Sequence, residues 1–215
     1  MALTDRFSGI ISNMNEYTYH ILGCGAIGSS TAIQLARMGA ETFYLYDFDK
    51  VEEPNIGVSQ YTYKDIDKPK VDALKDIILD INKFAKITAH NSKFDGYDSD
   101  GKDIVILGFD SMASRWEAID IIIKLMKTKP FCLIDGRMGA EHYQQYTFKD
   151  LTMAMYKKCW YSDDEGDPEP CSMKDTSYCS NMAGSFIVNT IRKVLTEQPY
   201  DKEFNFNFPL LRLGK

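Results

Sequence analysis

The chain has 215 residues, of which 44% are hydrophobic, so it is long enough to bury one sizeable core. Its formal net charge of −6 argues against a protein that binds nucleic acid or an anionic membrane surface nonspecifically, because such partners require a basic surface. The sequence has five cysteines and no recognisable secretory leader, and no apolar run approaches the roughly 20 residues of a membrane span. These features predict a cytoplasmic protein with reduced thiols.

The beginning of the chain predicts two parallel strands joined by a helix. Residues 17–22 and 41–46 are typical of buried strands. Between them, residues 27–38 have the spacing of a helix, and Gly39 is placed to end that helix in a left-handed conformation. A strand, a turn, a helix and a strand in this order form a βαβ unit with a right-handed crossover. The predicted fold class is therefore α/β, of the Rossmann-like type.

Strands and helices continue to alternate as far as residue 135, and the pattern then changes. Before that point, helices are predicted from Pro69 onward and over 113–127, and strands over 86–90, 103–107 and 131–134. After it follow an antiparallel strand over 143–148, an acidic crossover loop over 162–170, a helix over 179–195 and a half-buried strand over 204–208.

These elements predict a single domain, residues 1–215, built on a mixed sheet with helices on both faces. Residues 1–135 would form its parallel, nucleotide-binding part. Residues 136–215 would add the antiparallel strands, the crossover loop and the C-terminal helix. No internal repeat or low-complexity tract interrupts this organisation.

A glycine turn joins the first predicted strand to the first predicted helix. Gly23, Gly25 and Gly28 form the pattern G-x-G-x-x-G in that position. Glycines there let the backbone approach a phosphate, whose charge lies at the N-terminus of the helix. Asp47 follows the second strand, where a carboxylate accepts hydrogen bonds from a ribose. These residues fit ATP, NAD or FAD equally well.

The stretch after the second strand distinguishes these nucleotides. It reads D-x-D-x-V-x-x-x-N from Asp47 through Asp49 to Asn55, and a P-K pair that ends at Lys70 follows. The ThiF/MoeB and ubiquitin-activating enzymes carry the same D-x-D-x-V-x-x-x-N segment, then R-Q, then G-x-P-K. They also carry an aspartate with an arginine five residues beyond, as Asp110 has here. The chain resembles this family from about residue 6 to residue 195.

The resemblance implies an ATP-dependent adenylyltransferase that activates the C-terminal carboxylate of a small ubiquitin-like or sulfur-carrier protein, or of a peptide. ATP would bind at the glycine turn, with Asp47 on its ribose and Asn55 and Lys70 on its phosphates. Asp110 would be the reacting centre that holds Mg²⁺, and Arg6 would reach into the neighbouring subunit of a homodimer. The nucleotide-binding set implied is Gly23, Gly25, Gly28, Asp47, Asp49, Asn55 and Lys70, and the catalytic set is Asp110, Lys70, Cys171 and Arg6.

The chemistry accounts for these residue types without reference to the family. ATP and a carboxylate are both anionic, and Lys70 with a magnesium ion would neutralise their repulsion. No general base is required, because a carboxylate is already a nucleophile at pH 7. The alternative for Lys70 is a solvated lysine at a helix start. For Asp110 the alternative is the N-cap of the following helix.

Two positions lack an arginine of the family pattern, and Gln60 is displaced by one residue from the glutamine of the R-Q pair. Val58 stands where the family has a phosphate-binding arginine, and Gly9 replaces the second arginine of the N-terminal R-x-x-R. Losing one charged group that stabilises a transition state lowers a rate about a hundredfold or more, and Lys64 or Lys68 is a candidate substitute. These departures keep open a noncatalytic nucleotide- or partner-binding module of the same fold. The glycine turn and its following aspartate alone would also suit an NAD-dependent oxidoreductase.

The cysteines and histidines give weaker predictions. Cys171 lies near the position of a family cysteine that takes the activated acyl group, and Lys174 or a helix start would lower its pKa. An ordinary loop thiol is the alternative. No C-x-x-C pair occurs, so we expect no structural zinc. The three histidines have no partner at a diagnostic spacing and are predicted to be structural: His20, His90 and His142.

Overall fold

The computed structural model describes residues 3–165 and 175–214. Within this part, the strands are β1 (Thr18–Leu22), β2 (Thr42–Tyr46), β3 (Lys86–His90), β4 (Asp103–Leu107), β5 (Cys132–Gly139), β6 (His142–Phe148), β7 (Glu203–Asn207) and β8 (Arg212–Gly214). They form one sheet in the order β3-β2-β1-β4-β5-β6-β7-β8. The neighbours from β3 to β5 are parallel, and those from β5 to β8 are antiparallel. The predicted mixed sheet is therefore confirmed.

Helices cover both faces of this sheet. They are α1 (Ala26–Arg37), α2 (Glu53–Ile56), α3 (Lys70–Ile81), α4 (Met112–Lys124), α5 (Met153–Tyr156) and α6 (Ser177–Leu195). In β1, Tyr19 and Ile21 point to the core that contains buried residues of α1, α3 and α6, whereas Leu22 points to the core that contains buried residues of α4. Central strands buried on both faces explain the nearly continuous apolar runs in the sequence. No helix in the described part is long and apolar enough to cross a bilayer.

Most predicted elements are found near their predicted bounds, but the short helices α2 and α5 were not predicted, and β5 and β8 differ for physical reasons. Gly39 ends α1 with a φ of 89°, as predicted. β5 continues well beyond residue 134, because its charged residues Asp135 and Arg137 are paired with each other inside the fold. β8 was not predicted, since three residues on a sheet edge carry no detectable periodicity.

The glycine turn lies where the direction of strand order reverses. The chain passes from β1 to β2 on one side, and β4 lies on the other side of β1. A Cβ on Gly23 would lie 2.8 Å from the backbone of Gly108, and a Cβ on Gly28 would lie 1.9 Å from the carbonyl oxygen of Gly23. Only glycine permits this close packing. The reversal of strand order leaves a crevice here, at the carboxyl ends of the strands.

Candidate active site

A cleft of about 1140 Å³ opens at the carboxyl ends of the parallel strands. That volume is enough for a nucleotide together with the end of a peptide chain. Seven of the residues singled out in the sequence line it: Gly23, Gly25, Asp47, Asp49, Asn55, Lys70 and Asp110. Gly28 packs behind the turn instead of lining the cleft.

The glycine turn and the first residues of α1 line the cleft. Gly25 precedes α1, and a Cβ on it would have no heavy atom within 4 Å. The protein itself therefore leaves this space open, beside the first amides of α1, which have no partner within the helix. The N–H of Cys24 donates to the Asp47 carboxylate at 2.7 Å. The turn thus fits an anionic ligand such as a phosphate.

Asp47 directly follows β2, and its carboxylate accepts two backbone hydrogen bonds. Its second carboxylate oxygen accepts a hydrogen bond from the N–H of Asp49 at 2.9 Å. Burial raises the pKa of Asp47, although the backbone donors and the nearby Lys70 charge oppose that rise. Two backbone donors leave further lone pairs on the carboxylate available to hydroxyl groups of a ligand.

Lys70 is the first residue of α3, and its ammonium group lies inside the cleft. The side chain is 12% exposed, and Nζ donates to the Asp49 carboxylate at 2.9 Å. Burial lowers the pKa of Lys70, but the hydrogen bond to Asp49 and the charges of Asp47 and Asp110 outweigh it, so the net shift is upward. The alternative of a solvated lysine is therefore wrong, and this group is a cation directed at the cleft.

Asp110 lies one residue before the cap of α4. The cap is Ser111, whose hydroxyl accepts a hydrogen bond from the N–H of Ser114 at 3.1 Å. The alternative of Asp110 as the cap of this helix is therefore wrong, and the exposed Asp110 lines the cleft. The next two amides of α4 donate to the Asp163 carboxylate, at 2.6 Å from Met112 and 3.0 Å from Ala113.

Sequence reasoning missed a buried ionic network in the wall of the cleft. Asp135 is fully buried and accepts hydrogen bonds from Arg115, from Arg137 at 2.7 Å and from the Tyr156 hydroxyl at 3.0 Å. Both arginines line the cleft. Alternation in β5 places Asp135 and Arg137 on one face, which is the sequence signal that would have identified the pair.

The remaining predicted residues lie in different places. Asn55 lines the cleft while its side-chain oxygen accepts a hydrogen bond from the N–H of Glu52 at 2.9 Å. Val58 lines the cleft where the family has arginine. Lys64 and Lys68 are not among the lining residues, and Lys68 pairs with Asp65 at 3.4 Å, so neither replaces that arginine within one chain.

The two remaining predicted catalytic residues are Arg6 and Cys171. Arg6 is exposed in the N-terminal segment and does not line the cleft. Cys171 and most of the acidic crossover loop lie outside the described residues. Over residues 3–165 and 175–214, no three His, Cys, Asp or Glu side chains are grouped to hold a metal ion.

Known proteins resemble the chain in sequence and in fold. The model of the ThiF family matches residues 8–213. The ubiquitin-like modifier-activating enzyme 5 of Caenorhabditis elegans is 30% identical over 117 residues, which are 47% of this chain and 28% of that enzyme. The enzyme of the same name from Bombyx mori is 35% identical over 86 residues, which are 39% of this chain and 22% of that enzyme. The chain thus spans less than a third of these relatives.

Solved structures resemble the chain over nearly its whole length. The structure of PaaA superposes with a TM-score of 0.71 at 18% identity, covering 94% of this chain and 64% of PaaA. Escherichia coli MccB, solved with ATP, superposes with a TM-score of 0.72 at 14% identity, covering 95% of this chain and 64% of MccB. MccB has also been solved with AMPCPP and MccA. At these identities the likeness shows a common fold.

Proposed function

The chain belongs to the ThiF family, and we propose that it is an ATP-dependent adenylyltransferase. Its substrate would be the C-terminal carboxylate of a small ubiquitin-like or sulfur-carrier protein, or of a peptide. One observation carries the proposal: the glycine turn, Asp47, Lys70 and Asp110 line a single cleft. The structures of MccB with ATP and with MccA support ATP and a peptide as the two ligands.

The proposed reaction joins the carboxylate to the α-phosphorus of ATP. A carboxylate oxygen attacks that phosphorus, the bond to the bridging oxygen breaks, and pyrophosphate leaves with the electron pair. The amides of the glycine turn hold phosphate oxygens, Asp47 holds the ribose hydroxyls, and Lys70 offsets the negative charge that gathers at the phosphates. The open space at Gly25 fits such a ligand, since any side chain there would fill it.

Magnesium fits the charges of the cleft. Among the described residues that line it, seven are aspartate or glutamate and four are lysine or arginine. Carboxylate oxygens together with nucleotide phosphates are the ligands that Mg²⁺ prefers. Asp110 is the residue we assign to it, and a bound Mg²⁺ supplies positive charge at the reacting phosphate.

Pyrophosphate exchange tests the proposed function. Small proteins encoded beside this chain, beginning with any that end in Gly-Gly, serve as acyl substrates, and incorporation of labelled pyrophosphate into ATP is measured. We expect Lys70→Ala and Asp110→Ala to lower the exchange rate by about a hundredfold or more, because each removes charge stabilisation at the phosphates. Lys68→Ala is the matched control outside the cleft. Full activity in both cleft variants would refute the assignment.

A homodimer is part of the proposal, because Arg6 does not line the cleft of its own chain. If Arg6 acts in the neighbouring subunit, mixing Arg6→Ala chains with Lys70→Ala chains creates dimers with one complete site. Exchange activity should then recover to roughly one quarter of the wild-type value. No recovery from a mixture that sedimentation shows to be dimeric would exclude a role across the interface.

Val58 favours a second candidate function, a noncatalytic nucleotide-binding module of the same fold. An arginine at this place in the cleft would add a phosphate contact that valine does not make. Measurable ATP affinity with no acyl-adenylate from any of the tested proteins would support this candidate. The role of Cys171 as acyl acceptor and the cytoplasmic location stay predictions; Cys171→Ser and cell fractionation test them.

A further inference from the structure

Tyr61 links the glycine turn to the start of α3. It is 3% exposed, and its hydroxyl lies 2.5 Å from the carbonyl oxygen of Cys24 and 3.2 Å from the carbonyl oxygen of Lys70. A phenol carries a single hydrogen, so it donates to one acceptor at a time. The shorter distance identifies Cys24 as the main acceptor, with Lys70 beside it.

The peptide groups of Cys24 are fixed at both ends of the residue. Its N–H donates to the Asp47 carboxylate at 2.7 Å, and its carbonyl oxygen accepts from the Tyr61 hydroxyl. Rotation of the backbone between Gly23 and Gly25 would break one of these bonds. Since glycine backbones are otherwise free to rotate, the two side chains determine which way the amides of the turn point.

Tyr61 is itself fixed by its neighbours. The N–H of Gln60 donates to the Ser29 hydroxyl of α1 at 3.2 Å, and the N–H of Thr62 donates to the Asp65 carboxylate at 2.9 Å. The ring lies in the core beneath the parallel strands. The hydroxyl therefore has a defined position relative to α1 and α3, although nothing in the sequence motif marks this residue.

We propose that Tyr61 is a positioning residue for ATP binding and adenylation, because its hydroxyl sets the separation and orientation of the glycine turn and Lys70. The proposal rests on the proposed function. The backbone N–H of Lys70 also donates a hydrogen bond to the carbonyl oxygen of Asp49 at 2.9 Å. The Tyr61 hydroxyl adds a connection between the backbone of Lys70 and the glycine turn. The amides of the turn and the ammonium group of Lys70 would then face the same phosphates of ATP.

The variant Tyr61→Phe removes the hydroxyl and keeps the ring. It leaves the Cys24 carbonyl without this donor and lets the turn shift, and displacements near 1 Å cost up to about a hundredfold in rate. We expect KM and Kd for ATP to rise about tenfold, while KM for the acyl protein is unchanged. The matched control is Tyr63→Phe, which removes an exposed hydroxyl in the same segment and should leave both constants unchanged.

A double-mutant cycle separates positioning from stability. If Tyr61 acts through Lys70, Tyr61→Phe should change the Kd for ATP much less in a Lys70→Ala background than in the wild type. A variant that melts at a lower temperature but binds ATP with wild-type affinity would overturn the proposal. Equal effects in both backgrounds would also overturn it.

Measurements on the wild type keep the proposal testable should the variant not fold. Tyrosines labelled with ¹³C at the hydroxyl-bearing carbon report their hydrogen bonds in assigned NMR spectra. The Tyr61 signal should be that of a hydrogen-bonded hydroxyl both without and with saturating MgATP; a signal typical of a hydroxyl without a hydrogen bond contradicts positioning. ATP binding without pyrophosphate exchange would count against the adenylyltransferase alone, because the Kd comparison for Tyr61 needs no turnover.

Discussion

Asp135 balances the charges of two arginines that are almost fully buried. Arg115 and Arg137 both donate to its carboxylate, and Arg137 also donates to the carbonyl oxygen of Cys159 at 2.7 Å. The carboxylate raises the pKa of Arg137 against the opposing effect of burial, so this arginine stays charged. Removing one residue of such a network leaves its partners as buried charges without a counterion, which destabilises the fold.

Neutralising Asp135 should therefore destabilise the whole fold. Asp135→Asn keeps the side-chain shape but leaves two buried guanidinium groups without their counterion, and we expect a loss of about 3–5 kcal/mol in the free energy of unfolding. Urea denaturation measures this loss. Asp80→Asn, on the exposed side of α3, is the control and should change the free energy by less than about 0.5 kcal/mol. A small change for Asp135→Asn would show that water reaches the arginines.

His20 makes stability depend on pH. It is buried, its Nε2 lies 2.9 Å from the Asp103 carboxylate, and burial lowers its pKa although that carboxylate opposes the shift. Below about pH 6.5 the unfolded chain takes up a proton that the folded chain accepts less readily. The free energy of unfolding should therefore decrease as the pH is lowered below about 6.5, by at most about 1.4 kcal/mol per pH unit for this proton.

Melting curves between pH 7.5 and 5.5 measure the His20 effect. His20→Gln should flatten the pH dependence of the melting temperature. The control is His142→Gln, at an exposed position, which should leave that dependence unchanged. An unaltered slope in His20→Gln would assign the effect to other groups. The prediction concerns the slope and not the absolute stability, since the glutamine itself alters packing.

Single residues of the cleft were predictable only where a motif places them. Asp47 was predictable because it follows a parallel strand, and Lys70 because it belongs to the P-K pair; both line the cleft. Tyr61 and Arg137 were missed, since their partners lie far away in sequence and no local pattern marks a buried hydroxyl or guanidinium. His20 has its partner in Asp103, a pairing fixed by the neighbouring positions of β1 and β4.

At the scale of elements, the segment after α5 is attached to the first turn of α4. The indole Nε1 of Trp160 donates to the carbonyl oxygen of Met112 at 3.1 Å, and the carboxylate of Asp163 accepts from the amides of Met112 and Ala113. Sequence periodicity predicted α4 and α6 but not this attachment, because a capping carboxylate supplied from a distant loop has no local signature.

Removing this capping carboxylate should loosen one helix end. In Asp163→Asn we expect the amides of Met112 and Ala113 to exchange hydrogen faster, with a loss of about 0.5–2 kcal/mol in helix-end stability. Hydrogen exchange followed by mass spectrometry measures it. Asp164→Asn removes the same charge from the next residue and should leave those amides protected; equal acceleration in both variants would point to charge instead of the hydrogen bonds.

Considered over the whole molecule, the net charge of −6 makes the electrostatic potential negative. The cleft adds to this effect, because more carboxylates than cations line it. The resulting field repels free ATP, although Lys70 and the turn attract its phosphates at short range. The sequence gives the net charge, but only the fold shows that acidic residues from separate segments, among them Asp110 and Asp163, share one cleft.

This field predicts an unusual salt dependence for nucleotide association. In the absence of divalent metal, raising the ionic strength from about 0.05 to about 0.5 M should increase the association rate constant of a fluorescent ATP analogue, because salt screens the repulsion. With excess Mg²⁺ the nucleotide is less charged, so the same change in salt should have a smaller effect. Stopped-flow fluorescence measures both slopes. An association rate that falls with salt when metal is absent would mean that the lysine and the amides dominate the long-range field, and Mg²⁺ would then not be needed to bring the nucleotide into the cleft.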